Sequence, residues 1–181
     1  MKLKFSLLFC SILLTQPMAF AQKDHDHHMM KNHGSKMDMK DAARKSLDAK
    51  TKEQLLAALK INEDLHTSFF DYNAIKVEKN AAALSLSLSQ IKDPEISKIL
   101  SYSLKKLNGI KAGNDRKLNN KNYHSVSMTL IHLIRSYDLG DDYKGYSCPM
   151  VKMKWVQNSK KMSKVHNPYA PEMKHCGSQE S

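Results

Sequence analysis

The sequence has no hydrophobic run long enough to cross a lipid bilayer. Its longest apolar run, residues 5–14, holds about ten residues, whereas a membrane-spanning helix needs roughly twenty. Two lysines precede the run, and Ala-Phe-Ala at 19–21 follows it as a small-x-small cleavage site. The sequence therefore predicts a signal peptide over residues 1–21, cleavage after Ala21, a periplasmic location and no transmembrane anchor after cleavage.

Cysteine is also scarce, with 3 in the chain. Only Cys148 and Cys176 follow the predicted signal, and they are too far apart to form a C-x-x-C motif, which excludes a thioredoxin-type redox site. In an exported protein the two can form a disulfide. Such a bridge closes a loop of about 29 residues and would stabilise the fold by roughly 3–4 kcal/mol. A metal site built from the two thiolates remains open as the alternative.

Acidic residues are few, with 18 Asp and Glu against 29 Lys and Arg and a formal net charge of +11. The basic residues are spread along the chain and form no cluster, so we predict no nucleic-acid partner. The basic surface of an exported protein is better suited to an acidic partner or anionic lipids. No nucleophile–base pair or acid–base dyad is recognisable by spacing, and we predict that the protein is not an enzyme.

Helical periodicity begins near residue 51. An apolar stripe at helical spacing predicts a first helix over residues 52–77, and Asn80 is a candidate N-cap for the second helix. Residues 81–91 fit either a strand or a helix, and we favour a helix because helical segments flank them. The apolar stripe of the first helix consists of Leu55, Leu59, Ile61, Leu65, Phe69, Tyr72 and Ile75.

Two more helices follow. The third helix is predicted to begin at Pro94, which suits a first helical turn, and to stop at Gly113. The fourth is predicted over about residues 115–138. Short connections favour antiparallel neighbours, so we predict an all-α fold, an up-down four-helix bundle over 51–140. Residues 141–181 lose the helical period and are predicted to be an irregular segment of the same domain, packed on the bundle. The buried line of the fourth helix is predicted to be Tyr123, Val126, Leu130, Ile134 and Tyr137.

The segment 24–39, DHDHHMMKNHGSKMDM, is rich in His, Met and Asp and has no aromatic residue. Such a composition cannot build a core, and we predict that residues 22–50 form a disordered tail. Imidazole binds Cu(II) and Zn(II), while thioether sulfur prefers Cu(I), so the tail is predicted to capture metal. A solubilising linker is the alternative. The candidate ligands are His25, His27, His28, Met29, Met30, His33, Met37 and Met39.

The C-terminal segment contains SCPMVKMKW (147–155) and HNPYAPEMKHCG (166–177). Together with the helices before it, this pattern resembles the bacterial domain-of-unknown-function family 3347, whose members end in C-P-M, W, N-P-Y and M-x-x-C-G. The resemblance covers roughly residues 52–177. It implies an exported helical domain associated with heavy-metal and copper efflux, but it implies no particular reaction.

Four sulfur-bearing residues fall on this motif: Cys148, Met150, Met173 and Cys176. Soft sulfur ligands favour Cu(I), so these residues are a candidate second metal site, to which His166 and His175 could add nitrogen. The methionines could equally fill gaps in the packing. Trp155 and Tyr169 are expected to anchor the segment.

The fourth helix carries His124, Met128 and His132 at i, i+4 and i+8. This row is predicted to lie on the side away from the core, either as a secondary metal site or as a polar face. His66 is expected to be a boundary histidine with its hydrogen bonds satisfied.

The sequence thus predicts an exported copper-binding protein that sequesters the metal or delivers it to a periplasmic efflux adaptor or pump. Zinc or silver could take the place of copper. The alternative is a structural module without metal, a disulfide-tied helical bundle that docks on an efflux adaptor or envelope protein.

Overall fold

The computed structural model describes residues 43–180, all of which belong to the unit spanning residues 38–181. Four helices precede a three-stranded antiparallel sheet of order β2-β1-β3. The predicted signal peptide and the His/Met-rich segment 24–39 lie outside the described residues. The elements are α1 (Ala49–Phe70), α2 (Ala74–Ser89), α3 (Pro94–Asn108), α4 (Arg116–Ser136), β1 (Tyr143–Cys148), β2 (Met153–Asn158), a 3-10 helix at Pro171–Met173 and β3 (Ser178–Gln179).

The first helix is shorter than the predicted range 52–77. The side chain of Asn73 accepts the backbone N–H of Lys76 at 3.0 Å, so Asn73 is the N-cap of α2 and the chain turns just before it. The prediction of Asn80 as this cap is therefore wrong. Ile75, which fitted the apolar stripe, is 76% exposed because it follows the turn.

The other helix predictions agree better with the structure. Residues 81–91 are helical up to Ser89, and α3 begins at Pro94 behind the N-cap Asp93, whose side chain accepts the N–H of Ile96 at 2.8 Å. The third helix ends at Asn108, before the predicted stop. All five residues of the predicted core line of α4 are buried: Tyr123, Val126, Leu130, Ile134 and Tyr137.

Residues just before α1 are ordered against the end of α4, although the sequence placed them in the tail 22–50. The backbone N–H of Lys45 donates to the Ser136 carbonyl at 2.8 Å, and the N–H of Asp138 donates to the Lys45 carbonyl at 2.9 Å. Arg44 donates to the Gly140 carbonyl at 2.7 Å. The domain therefore begins some residues earlier than predicted.

The C-terminal segment is not irregular, and the fold is not all-α. β1 pairs with β2 in an antiparallel hairpin that sets Tyr146 opposite Trp155, and β3 pairs with the other edge of β1, with Ser147 opposite Ser178. Trp155 and Val156 are adjacent in β2 and both are buried, so both faces of this strand are covered. The absence of helical period was correctly recognised, but these short strands carry too few alternating residues to be predicted.

A chain of aromatic rings joins the helices to the sheet. Phe69 of α1 stacks on Tyr123 of α4 with ring centroids 4.6 Å apart. Tyr169 follows at 5.8 Å from Tyr123 and 6.2 Å from Trp155, and Trp155 lies 6.0 Å from Tyr146 of β1. Aromatic pairs at such distances add about 0.5–1.5 kcal/mol each beyond the area that they bury.

Glu63 of α1 holds the open end of the hairpin. Its carboxylate accepts the hydroxyl of Tyr143 at 2.6 Å, the side-chain amide of Asn158 at 3.0 Å and the ammonium of Lys161 at 2.7 Å. Burial alone would raise the pKa of Glu63, but these hydrogen bonds outweigh it and lower the pKa below its ordinary value. The carboxylate is therefore charged at neutral pH, when its hydrogen bonds are strongest.

Replacing Gly177 by alanine is expected to destabilise the fold strongly. Gly177 has φ +137, and a Cβ there would lie 2.7 Å from the ring of Trp155 and 2.7 Å from the Ser147 carbonyl oxygen. We expect the free energy of unfolding in urea to fall by about 3 kcal/mol. Gly113→Ala is the matched control, because a Cβ at Gly113 meets nothing within 4 Å. Equal stability of the two variants would contradict this account.

Candidate functional site

The structure brings the two cysteines of the C-terminal motif together. Cys148 is the last residue of β1, and Cys176 lies two residues before β3, which pairs with β1. The two sulfur atoms are neighbours at 2.6 Å, a pair placed to form a disulfide. Cys148 is 1% exposed, whereas Cys176 is partly open to solvent.

The two thiols have different electrostatic surroundings. Burial alone would raise the pKa of Cys148, but hydrogen bonds from the Cys176 thiol, from the backbone N–H groups of Val151 and Met150 and from the side chain of Asn167 outweigh it and lower the pKa. The pKa of Cys176 is raised, first by its hydrogen bond to Cys148 and then by burial. Cys148 therefore ionises first, and a thiolate is the form that attacks disulfides and binds metals.

Met150 and Met173 do not fill gaps in the core. Met150, in the turn after β1, is 70% exposed, and Met173, at the end of the 3-10 helix, is 38% exposed. The backbone N–H of Cys176 donates to the Met173 carbonyl at 2.9 Å, which fixes the turn between them. Both thioethers are thus on the surface and open to ligands, and along the chain both lie between Cys148 and Cys176.

The remaining motif residues position the thiols. Asn167 donates from its side chain to the Cys176 carbonyl at 3.0 Å and accepts the backbone N–H of Tyr169 at 2.9 Å, an Asx turn that needs this short amide. The buried Tyr169 hydroxyl donates to the Lys154 carbonyl at 3.0 Å. The Asn-Pro-Tyr stretch therefore ties the loop that carries Cys176 to β2, and the expectation that Trp155 and Tyr169 are anchors agrees with their burial.

The row on α4 is not arranged as the metal site that the sequence suggested. The backbone N–H of Lys154 donates to Nδ1 of His124 at 3.0 Å, so the proton of the neutral ring is on Nε2 and neither nitrogen offers a lone pair to an ion. His124 instead fastens β2 to α4. Met128 and His132 are exposed beside it, along an open groove of about 350 Å³ that also includes Tyr102 of α3.

His66 is buried rather than a satisfied boundary residue. It is 2% exposed, and neither of its ring nitrogens has a hydrogen-bond partner. It lines a cavity of about 10 Å³, roughly the room that one water molecule needs, between α1 and the hairpin. Burial first, and then the charge of His166, lowers the pKa of His66 to about 4.

Two features of the site were not recognised in the sequence. Glu63 stands at an ordinary polar position of a helix, and nothing in its neighbours indicates three hydrogen bonds to a distant hairpin. Asn119 was given no structural role, yet its side chain donates to the Tyr72 hydroxyl at 3.0 Å and to the Lys111 carbonyl at 2.8 Å. A sequence does not show whether an Asn in a helix is buried, so the role of Asn119 could not be inferred from it.

No family model, curated protein or solved structure matches this chain. The resemblance to family 3347 therefore rests on the quoted motif alone. Within residues 43–180, no helix combines the length and the apolar character that crossing a bilayer requires. In the same segment, no three His, Cys, Asp or Glu side chains come close enough to hold one ion.

The burial of His66 predicts a loss of stability in mild acid. The ordinary pKa of 6.5 applies to the unfolded chain, so below pH 6.5 the unfolded chain takes up a proton that the folded chain does not take up until about pH 4. The contribution of His66 to the free energy of unfolding is therefore fully present above pH 6.5, and it falls by about 3 kcal/mol as the pH drops toward 4. His66→Leu should remove this part of the pH dependence, measured by urea unfolding at several pH values, whereas the exposed control His132→Leu should keep it. A His66→Leu profile parallel to that of the unaltered protein would contradict the assignment.

Proposed function

We propose that this protein is exported to the periplasm, binds copper there, and sequesters the metal or delivers it to an efflux system. The observation that carries the proposal is the proximity of the two thiols Cys148 and Cys176, with the exposed sulfurs of Met150 and Met173 close by in the chain. Thiolate and thioether together favour Cu(I) over hard cations. Silver resembles Cu(I) in this preference, and Zn(II) suits the thiolates alone.

Binding at the thiol pair requires the reduced form and a small rearrangement. With metal–sulfur bonds near 2.3 Å, two thiolates on one tetrahedral ion lie roughly 3.8 Å apart. The sulfurs of Cys148 and Cys176 are neighbours, so an outward rotation of the Cys176 side chain reaches this separation. Cys176 can make this movement because it is near the surface, while Cys148 is fixed in the core.

The proposed role of the N-terminal tail is capture. Its imidazoles suit Cu(II) and its thioethers suit Cu(I), so a segment of this composition can hold either oxidation state weakly and pass it on. Weak ligands that exchange readily suit transfer better than catalysis, and the proposal assigns no catalytic step. The residues proposed to capture the ion are His25, His27, His28, Met29, Met30, His33, Met37 and Met39.

A Cu(I) competition experiment tests the two parts separately. The reduced protein is titrated against a cuprous chelator of known affinity, and the variants are a chain lacking residues 24–39 and the full chain with Cys148→Ser. We expect the deletion to remove the weakly bound ions and the serine variant to remove the tightest one, because each loses its own ligands. Leu118→Ala, at an exposed apolar residue outside the motif, is the control. Copper binding that is unchanged in both variants would refute the proposal.

The second candidate function is an interaction module without metal, and the proximity of the two thiols favours it. A Cys148–Cys176 bridge would tie β3 and the loop before it to β1, and the resulting rigid, basic domain could dock on an efflux adaptor or an envelope protein. In this proposal the four helices form an up-down bundle that serves as the scaffold, and the tail is incidental.

Mass spectrometry of the protein isolated from the periplasm of copper-grown cells distinguishes the two functions. Copper handling predicts free thiols or bound metal in a sizeable fraction of the molecules, because a bridged pair has no thiolate to offer. The module predicts a quantitative bridge between Cys148 and Cys176 and no copper. Alkylation before lysis is the control that prevents oxidation during preparation.

A further inference from the structure

Two histidines outside the thiol pair, His166 and His175, lie side by side in the segment between β2 and β3. Their ring centroids are 5.7 Å apart, with the ring planes at 66°. His166 stacks on Phe70 of α1 at 4.9 Å, and its backbone N–H donates to the side chain of Gln157 at 3.0 Å. His166 is therefore held by α1 and β2, and His175 is held beside it by the loop through the Val165 carbonyl.

The hydrogen bond of His175 sets its protonation in a way that suits a metal ligand. Its Nδ1 lies 2.7 Å from the carbonyl oxygen of Val165. A carbonyl can only accept, so Nδ1 carries the proton and the neutral ring presents the lone pair of Nε2. Histidines that bind metals usually have this arrangement, in which the second ring nitrogen donates to a carbonyl and orients the ring. His175 is exposed, so this nitrogen is accessible.

His166 is partly buried between the rings of Phe70 and His175, and two lysines lie near the pair. Lys164 and Lys174 are close by and repel cations, which favours a moderate affinity over a very tight one.

The spacing of the two rings fits one shared ion. With metal–nitrogen bonds of about 2.1 Å, two imidazoles on one ion have centroids roughly 4.5–6.4 Å apart, depending on the angle at the metal. The observed 5.7 Å lies within this range. No third His, Cys, Asp or Glu of the described segment completes the set, so water would fill the other positions.

We propose that His166 and His175 form a two-histidine site for a borderline divalent ion such as Cu(II) or Zn(II). The site goes beyond the function proposed above, because it uses nitrogen ligands and needs neither the tail nor the thiols. An open coordination sphere makes it a surface site that exchanges its ion. His175 directly precedes Cys176 in the chain, so the nitrogen site for the divalent ion is adjacent in sequence to the sulfur site for Cu(I).

Site-resolved NMR of the imidazole nitrogens tests the proposal with Zn(II), which does not oxidise thiols. The full chain is used with its four tail histidines replaced, as His25→Ala, His27→Ala, His28→Ala and His33→Ala, so that the tail does not compete. Before metal is added, we expect His175 in the form protonated on Nδ1. One equivalent of Zn(II) should then shift the ring nitrogens of His166 and His175 together.

Variants distinguish one ion that both rings bind from two rings that bind zinc independently. His175→Ala should abolish the Zn(II)-dependent shift of His166 and weaken Zn(II) binding about tenfold or more. His132→Ala, which removes an exposed histidine of α4, should change neither. The proposal fails if His175 is protonated on Nε2, or if Zn(II) shifts only the cysteine resonances. The Cu(I) competition described above does not depend on this pair, so either result can fail without the other.

Discussion

The ring of Tyr169 lies between Tyr123 of α4 and Trp155 of β2, and the conformation of the C-terminal segment depends on this contact. Without it, the chain between β2 and β3 would be held by one short turn of 3-10 helix, a few hydrogen bonds and the contacts of His166 and Lys174 with Phe70. The buried Tyr169 hydroxyl keeps its hydrogen bond to the Lys154 carbonyl, so its burial leaves no unpaired polar group. The helices thus provide the packing surface on which the C-terminal segment takes its conformation.

The position of the thiols follows from this packing. Because Trp155 is fixed, only a glycine fits at position 177, and the chain can then pass close enough to the Ser147 carbonyl for β3 to pair with β1. That pairing sets Cys176 beside Cys148. The chemistry proposed for the sulfurs is therefore a consequence of how aromatic rings are packed several residues away.

Periodicity in the sequence predicted the four helices, because each buries a continuous stripe against its neighbours. It failed at the end of α1, where Tyr72 and Ile75 continue the stripe numerically but Asn73 offers a local cap that ends the helix. The strands could not be predicted, because β3 has only two residues and the four residues Trp155–Asn158 of β2 are all buried, which removes the alternation that identifies a strand. His124 was expected in a metal-binding row or on a polar face, but its role depends on which nitrogen faces Lys154, and a sequence does not contain that information.

The shortness of β3 also determines the order in which the two sulfurs are reached. Cys176 is partly open to solvent and precedes a strand of two residues, which is held at its end by the ion pairs of Glu180 with Lys154 at 2.5 Å and with Arg135 at 3.4 Å. Cys148 is 1% exposed at the end of a strand paired on both edges. Because a strand as short as β3 leaves Cys176 partly uncovered, a reductant, an oxidant or an ion meets this outer sulfur before the buried sulfur of Cys148.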